Sequence, residues 1–454
     1  MADKSLEQLG YKQELKRSLG FWGVVVYGII FTCPMASMQM FGYVGQYANG
    51  LDSLVYIIGV AGMIFTAFSY GRCIREWPIA GSVFSYVQRT INPHVGFVAG
   101  WLILIDYALI PGLVLSLAAV FVGILIPGIP VWLALLVFVL VDTAINYVGI
   151  ELADKENIAL FIIQLAGIAA FLVTGAIYVW RGGGAGTFNA DPIFQPSKFN
   201  INFVASALSI AAVTLLGFDA MTTLAEETDR PQKLIPPGMI AVLLIIGLLF
   251  VSSTYIGRLI HPNPADLDPN TGFINVVIRA VGGKPLQTYT LIAFVLSLAF
   301  GTALNSQLAA SRILYSMGRD KLIPGIFGKV HRRFKTPYVA SITFGIVTFA
   351  IANLIGIEAL SRLVNFGAMT SYMMLNAAVF WFFFIRKRQR GVAGFVWHFL
   401  FPLCGFIVIG YVWYGFDPLT KIVGSCWAVL GIIYGAVKSK GYRVVPEALA
   451  KLEI

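Results

Sequence analysis

Thr32-Cys33-Pro34-Met35-Ala36-Ser37 and Thr214-Leu215-Leu216-Gly217-Phe218-Asp219-Ala220 are the two stretches whose reading decides the fold. Each lies inside a long apolar run and interrupts it. Pro34 has no amide hydrogen and its ring crowds the preceding turn, so a helix that meets it must kink or open. Gly217 weakens the helix around it, and Asp219 then sets an ionisable group deep in an apolar run. A proline kink or a lone glycine is common in membrane helices. Two breaks in matching places ask for a further reason.

The apolar runs themselves set the class. The chain has 454 residues, 58% hydrophobic and only 12% charged, whereas a soluble domain carries about 25% charge. Most of its surface therefore faces something other than water. Each crossing of a bilayer core needs roughly 20 apolar residues. Twelve spans are expected, at about residues 20–47, 53–72, 94–124, 130–150, 157–180, 202–226, 236–258, 286–314, 337–355, 358–385, 396–414 and 420–437. The breaks fall in spans 1 and 6, five apart, and so occupy equivalent places in two five-helix halves. Halves with an odd number of helices insert in opposite directions. Paired interrupted helices of this kind point to an inverted-repeat transporter with a site at the membrane midplane.

The net charge of +10 fits the same topology rather than nucleic acid. With the N-terminus inside, only Arg181, Lys198, Arg258, Arg279, Lys284, Arg362 and Lys421 fall on the outer side. The remaining Lys and Arg lie inside, the bias that orients such chains. Residues 1–19 read as a cytoplasmic N-terminal segment without a signal peptide, 20–437 as one membrane domain, and 438–454 as a cytoplasmic tail. The loops near 181–201 and 259–285 are too short for a separate core, and Gly272-Phe273-Ile274-Asn275-Val276-Val277 reads as a short interfacial helix. The basic stretch 319–337 reads as an inner loop beside anionic headgroups. Cys33, Cys73, Cys404 and Cys426 are scattered, without disulfide or metal-ligand spacing. His94, His261, His331 and His398 form no zinc or triad pattern either. No cofactor or metal is expected, and an enzyme is the reading with least support.

The broken segments also carry a resemblance. Gly217-Phe218-Asp219-Ala220, then Glu226-Glu227-Thr228, Pro231 and Ile235-Pro236, are similar to the helix 6 signature of the amino acid–polyamine–organocation transporters. Pro78-Ile79-Ala80-Gly81-Ser82-Val83-Phe84-Ser85-Tyr86 with Gly96-Phe97 and Gly100-Trp101 agrees. So does Arg312-Ile313-Leu314-Tyr315-Ser316-Met317-Gly318-Arg319-Asp320 with Pro324 and Thr336-Pro337. The resemblance covers about residues 15–440. It implies an all-α polytopic membrane protein with a LeuT-like core of 5+5 inverted repeats, two further C-terminal helices, and alternating access around a central site. Ile91-Asn92-Pro93-His94-Val95-Gly96-Phe97, Asp106-Tyr107 and Gly217 to Leu224 look most like the bacterial putrescine importers, which implies a bacterial inner membrane.

Substrate residues are expected at both breaks. Amino-acid carriers of this family hold the substrate carboxylate on free amides of a glycine-rich span 1 break. Here Cys33, Pro34, Met35, Ala36 and Ser37 stand instead, without glycine and with one amide removed by Pro34. That departure favours a substrate lacking the carboxylate, although an exposed helix end still attracts anions, and Ala36 and Ser37 are small enough to serve. An ammonium substrate needs an acid to replace its hydration shell. Asp219 at the span 6 break, between Gly217 and Phe218 and the rest of span 6, is one candidate, and its alternative role is to cap the second half-helix. Asp106 lies about 12 residues into span 3, roughly 18 Å along the axis, and its alternative role is a structural hydrogen bond. Both are candidates for proton coupling. The family resemblance places a lysine of some proton-coupled members near Gln164, which cannot titrate, and an acid of the putrescine importers near Gln39.

Tyr43, Tyr107 and Phe218 offer aromatic faces to an ammonium, their alternative and commoner role being packing. Asn305, Gln307 and Asn365 are weaker pathway candidates, and Asp142 reads as structural. Glu226 and Glu227, at the inner end of span 6, are expected either to pair with Arg17 or a loop cation as an inner gate or simply to cap and anchor the helix. The reading is thus a secondary active, proton-driven importer of a small organic amine such as putrescine. An amino acid permease of the same fold is the alternative, and a membrane sensor that transports nothing comes third.

Overall fold

Inside hydrocarbon every backbone N–H and C=O must be satisfied within the protein, so apolar runs of this length become helices. The computed structural model describes the backbone of residues 17–443 except 81, 149, 270 and 320–322, and the side chains of those residues except 150–157, 358 and 438. Most of the expected N-terminal segment and of the tail 438–454 lie outside the described residues, as do Gly81 and Asp320 of the motifs. Among the described residues eleven helical stretches are long and apolar enough to cross a membrane. They are Phe21–Gln39, Asp52–Glu76, Pro93–Leu125, Val131–Val148, Ile158–Trp180 and Ile201–Leu224, then Pro231–Ile260, Phe273–Arg319, Ala359–Arg386, Val392–Tyr414 and Pro418–Val437. They correspond to expected spans 1 to 8 and 10 to 12. At the place of span 9 stands Tyr338–Leu354, an apolar helix of 17 residues. The protein is all-α, with the LeuT-like architecture that its order of spans implies.

Several ends differ from the sequence expectation. Span 8 continues along Leu304–Arg319, and its approach runs through a π-helical turn at Phe273–Ile278 and a kink at Gly283. Polar residues in these extensions stay helical because neighbouring spans bury them. Span 2 packs along span 7 and span 4 along span 9, while span 3 packs along span 10. The first two pairs, like spans 1 and 6, join elements five apart, the relation two equivalent halves would generate.

Both expected breaks are present. Span 1 is helical from Phe21 to Thr32, then turns at Cys33 (φ 58°) and Pro34. One turn follows at Ala36–Gln39, and after Met40 the chain resumes at Phe41–Tyr47. Span 6 is α-helical to Ala211, tightens to a 3-10 turn over Ala212–Leu215 and is extended at Leu216. It restarts as a 3-10 helix over Phe218–Leu224. Gly217 stands between the pieces at φ 110°, a left-handed conformation costly for any residue with a Cβ. A Cβ there would also run into the Phe31 ring of span 1. One glycine thus both turns span 6 and lets the two breaks touch.

At the face opposite the N-terminus, Arg258 of span 7 pairs with Asp52 of span 2 through Nε–Oδ2 at 2.8 Å and Nη2–Oδ1 at 3.1 Å. Both side chains are buried, and the guanidinium lies 4.5 Å from the Phe41 ring centroid. Gly45 approaches the same guanidinium and leaves no room for a Cβ. The pair fastens the outer piece of span 1 to spans 2 and 7.

Gly217→Ala should cost about 1–3 kcal/mol from backbone strain alone, with the Phe31 overlap added. A thermal melt of the detergent-purified variant should show a lowered Tm; an unchanged Tm would mean that span 6 turns without needing a left-handed residue. Asp52→Ala should cost about 3–5 kcal/mol by stranding a buried guanidinium. Asp52→Leu with Arg258→Met should recover much of that loss in the same melt.

Candidate functional site

Asp219 follows the Gly217 turn by two residues and is therefore aimed into the bundle. Its carboxylate accepts three hydrogen bonds, each from a tyrosine of a different span. Tyr107 of span 3 donates to Oδ2 at 2.5 Å, Tyr70 of span 2 to Oδ2 at 3.2 Å, and Tyr372 of span 10 to Oδ1 at 2.7 Å. A carboxylate is an acceptor only, so all three phenols can donate to it at once. All four side chains are buried. Rings close the surround: Phe218 lies 6.1 Å from Tyr70 and 5.7 Å from Tyr372, and Tyr70 lies 6.0 Å from Tyr372. The side-chain partners of Asp219 thus come from other spans. The residue that caps Phe218–Leu224 is Gly217, which has no side chain to do so.

Asp106 is buried one residue before Tyr107. Its Oδ1 has no hydrogen-bond partner. The two acids are neighbours in the interior, joined by the backbone step from Asp106 to Tyr107.

A cavity of about 50 Å³ lies against the two breaks. Thr32, Cys33, Ala36, Gln39 and Met40 of span 1 line one side, with Val213, Thr214 and Leu216 of span 6. Ile110, Leu113, Val114 and Leu117 of span 3 complete the wall with Phe31, Leu298 and Thr302. Most of the wall is hydrocarbon, and neither Asp106 nor Asp219 is part of it. Several polar atoms around it are buried and unpartnered: Ser37 Oγ, Gln39 Nε2 and Gln164 Nε2. Gln164 accepts from the Cys33 thiol at 3.6 Å, which ties span 5 to the break. Pro34 and Met35 form the turn itself, and Tyr43 sits further out, partly buried, on Phe41–Tyr47. Hydroxyls cap the loosened carbonyls: Thr32 bonds Gly28 O at 2.8 Å, Thr214 bonds Ala211 O at 2.7 Å, and Thr223 bonds Ala220 O at 2.6 Å.

The basic face is closed by a second polar group. Glu227 is held by both Nε and Nη2 of Arg312, the latter at 2.8 Å. Glu226 is held by Arg319 at 3.0 and 3.1 Å and accepts from the Ala80 amide at 3.2 Å. Both arginines stand on span 8. Arg17 is exposed beside this group, and the next residues, Ser18 and Leu19, donate their amides to Glu227 O at 3.0 and 3.1 Å. A parallel bridge from Leu19 to Thr228 continues the strap.

Sequence reasoning did not single out Tyr70 or Tyr372, nor Arg312 and Arg319 as the partners of the acidic pair. A signal existed in part. A tyrosine in an apolar span buries a hydroxyl that must find a partner. With 19 tyrosines in the chain, that signal does not say which ones meet.

An interrupted pair of helices crossing at a buried, polar centre defines a multi-pass membrane transporter. Comparison with known proteins bears this out: residues 42–416 match the family model "Amino acid permease". The chain belongs to that family, within the amino acid–polyamine–organocation superfamily, and is a transporter rather than an enzyme. It is 31% identical over 434 residues to the low-affinity putrescine importer PlaP of Escherichia coli (strain K12), covering 95% of each chain. It is 26% identical over 406 residues to the branched-chain amino acid permease BcaP of Bacillus subtilis (strain 168), covering 83% of each. It is also 26% identical over 401 residues to a methylthioribose transporter of the same organism, covering 83% of this chain and 84% of the relative.

Removing one phenol hydroxyl, as in Tyr107→Phe or Tyr372→Phe, should destabilise the fold by about 1.5–3 kcal/mol, the range for a hydrogen bond to a charged group. Tyr47→Phe, at an exposed position outside the cluster, should not. Melting curves of the three variants decide it, and equal Tm values would argue that Asp219 does not depend on its tyrosines.

Proposed function

We propose that this chain is a secondary active importer of a small organic amine, driven by protons, and that Asp219 is the partner of the substrate ammonium. The observation that carries the reading is the surround of Asp219: a carboxylate inside the rings of Tyr70, Tyr107, Tyr372 and Phe218. An ammonium entering a dry interior needs an anion, and aromatic faces attract cations further. Three hydroxyls satisfy Asp219. A bound ammonium would replace part of that shell, and the adjoining hydrocarbon-walled cavity would receive its methylenes. The similarity to a putrescine importer supports the same substrate class.

Asp106, with an unpartnered buried oxygen, is the proposed proton carrier beside this site. Residues 20–437 act as one transport domain in the bacterial inner membrane, with both termini in the cytoplasm. The Glu226 and Glu227 pairs, with the strap from Arg17 to Leu19, form the inner gate.

A second reading rests on the cavity wall. Apart from a few polar side chains the wall is aliphatic, and no carboxylate lines it. That suits the side chain of an apolar amino acid, with its carboxylate at the Cys33–Ser37 break, and the branched-chain relative agrees.

Uptake into proteoliposomes with an imposed inward proton gradient separates the two. Radiolabelled putrescine should accumulate and should stop accumulating when the gradient is collapsed. Asp219→Asn and Asp106→Asn should each cut uptake at least about tenfold, equivalent to roughly 1.4 kcal/mol, while still inserting normally. Accumulation of leucine without any amine would transfer the site to the second reading. Uptake of neither above empty vesicles would sink both.

A further inference from the structure

We propose that the groove on the basic face between spans 2, 10 and 11 binds the phosphodiester headgroup of an anionic phospholipid. The groove is organised by one ring. Phe383, near the end of span 10, is buried. The His398 imidazole of span 11 stacks on it at 5.0 Å and 17°. The Arg72 guanidinium of span 2 lies 5.6 Å from the same ring centroid, and Lys387 Nζ lies 5.5 Å from it. Three spans thus bring two fixed cations and an imidazole around a single phenyl ring.

Within the segments that form it, cations outnumber acids. The turn after span 10 reads Arg386-Lys387-Arg388-Gln389-Arg390, and span 2 ends with Arg72 and Arg75. Against them the segments 72–80 and 380–400 bring a single acid, Glu76, which lies 3.1 Å from Lys387. Clustered cations of this kind just beyond a membrane helix are attracted to anionic lipid at about 1 kcal/mol each.

A second observation, independent of charge counting, points to a ligand. His398 is only 3% exposed, yet neither ring nitrogen makes a hydrogen bond of normal geometry, and the Gln389 carbonyl merely faces it. Arg72 Nε is likewise buried without a hydrogen-bond partner. Leaving such groups unpaired costs about 1–3 kcal/mol apiece. A phosphodiester offers two anionic oxygens and matches a guanidinium in shape and charge.

The source of that phosphate is a lipid because of where the groove opens. Trp381 of span 10 and Trp397 of span 11, in the two spans that carry Phe383 and His398, present partly exposed rings. Indoles favour the depth of the headgroups. A headgroup at His398 and Arg72 would leave its acyl chains against the apolar flanks of spans 2 and 11. The inference is independent of the transported substrate.

Native mass spectrometry of the full chain, released from nanodiscs of mixed phosphatidylglycerol and phosphatidylethanolamine, tests it. The protein should retain phosphatidylglycerol in preference to phosphatidylethanolamine. Arg72→Gln with Lys387→Gln should lower that retention by about tenfold or more, given roughly 1 kcal/mol per charge. Arg332→Gln with Arg333→Gln, which removes two charges from another loop of the same face, should not. Arg72→Lys keeps the charge but loses the buried Nε donor. It should lower retention while holding the Tm, which guards against a double variant that fails to fold. Equal retention of the two lipids overturns the proposal, as does full retention by both Arg72 variants. Equal thermal stabilisation of lipid-depleted protein by glycerol 3-phosphate and phosphatidylglycerol would identify a soluble-anion site and overturn it too.

Discussion

A helix that breaks inside hydrocarbon exposes amides and carbonyls that lipid cannot satisfy, and each orphan costs several kcal/mol. Everything at the centre of this protein follows from placing two such breaks where other protein groups can reach them. Threonine hydroxyls take up carbonyls at Gly28, Ala211 and Ala220. Spans 5 and 8 join in: Gln164 accepts from Cys33, and Thr302 donates to Ile30 O at 3.4 Å. Contact between the breaks needs Gly217, whose missing side chain leaves space for Phe31. Span 6 could not turn at that point with a larger residue and still rest against span 1.

Charge obeys the same rule at three depths. Asp52 is answered by Arg258, Asp219 by three phenols, and Glu226 and Glu227 by Arg319 and Arg312. The outer and inner pairs are bidentate, salt bridges that need an exact partner geometry and lose much when one member is removed. The central acid is different. It has neutral donors only, so its charge is held without being cancelled. Its partners are hydroxyls, which can rotate away without leaving a second buried charge behind.

Much of the architecture was legible in residue order alone. Pro34 and the Gly217–Asp219 step marked both breaks to the residue, because proline and glycine act on the backbone locally. The span positions followed from apolar length, and their ends slipped where polar segments such as 304–319 stay helical only through burial by neighbours. The partners were harder. Tyr70, Tyr107 and Tyr372 meet Asp219 across 112 to 153 positions of sequence, and no local pattern encodes such a meeting. The acidic pair was legible as a polar feature at the inner end of span 6, but Arg312 and Arg319 read as part of a motif on span 8. Only packing turns them toward span 6.

Arg312 and Arg319 are seven residues apart, two helical turns, and therefore share one face of span 8. Their acids, Glu226 and Glu227, are adjacent in sequence and sit where span 6 runs into the strap formed by Ser18 and Leu19. The four side chains behave as a two-toothed latch on a rigid bar. Because both arginines stand on one helix, any shift of span 8 relative to span 6 would act on both pairs at once. Breaking either pair would strand its two members, an arginine and a glutamate, in the interior. The inner end of span 6 is thereby fixed to span 8 at two points rather than one.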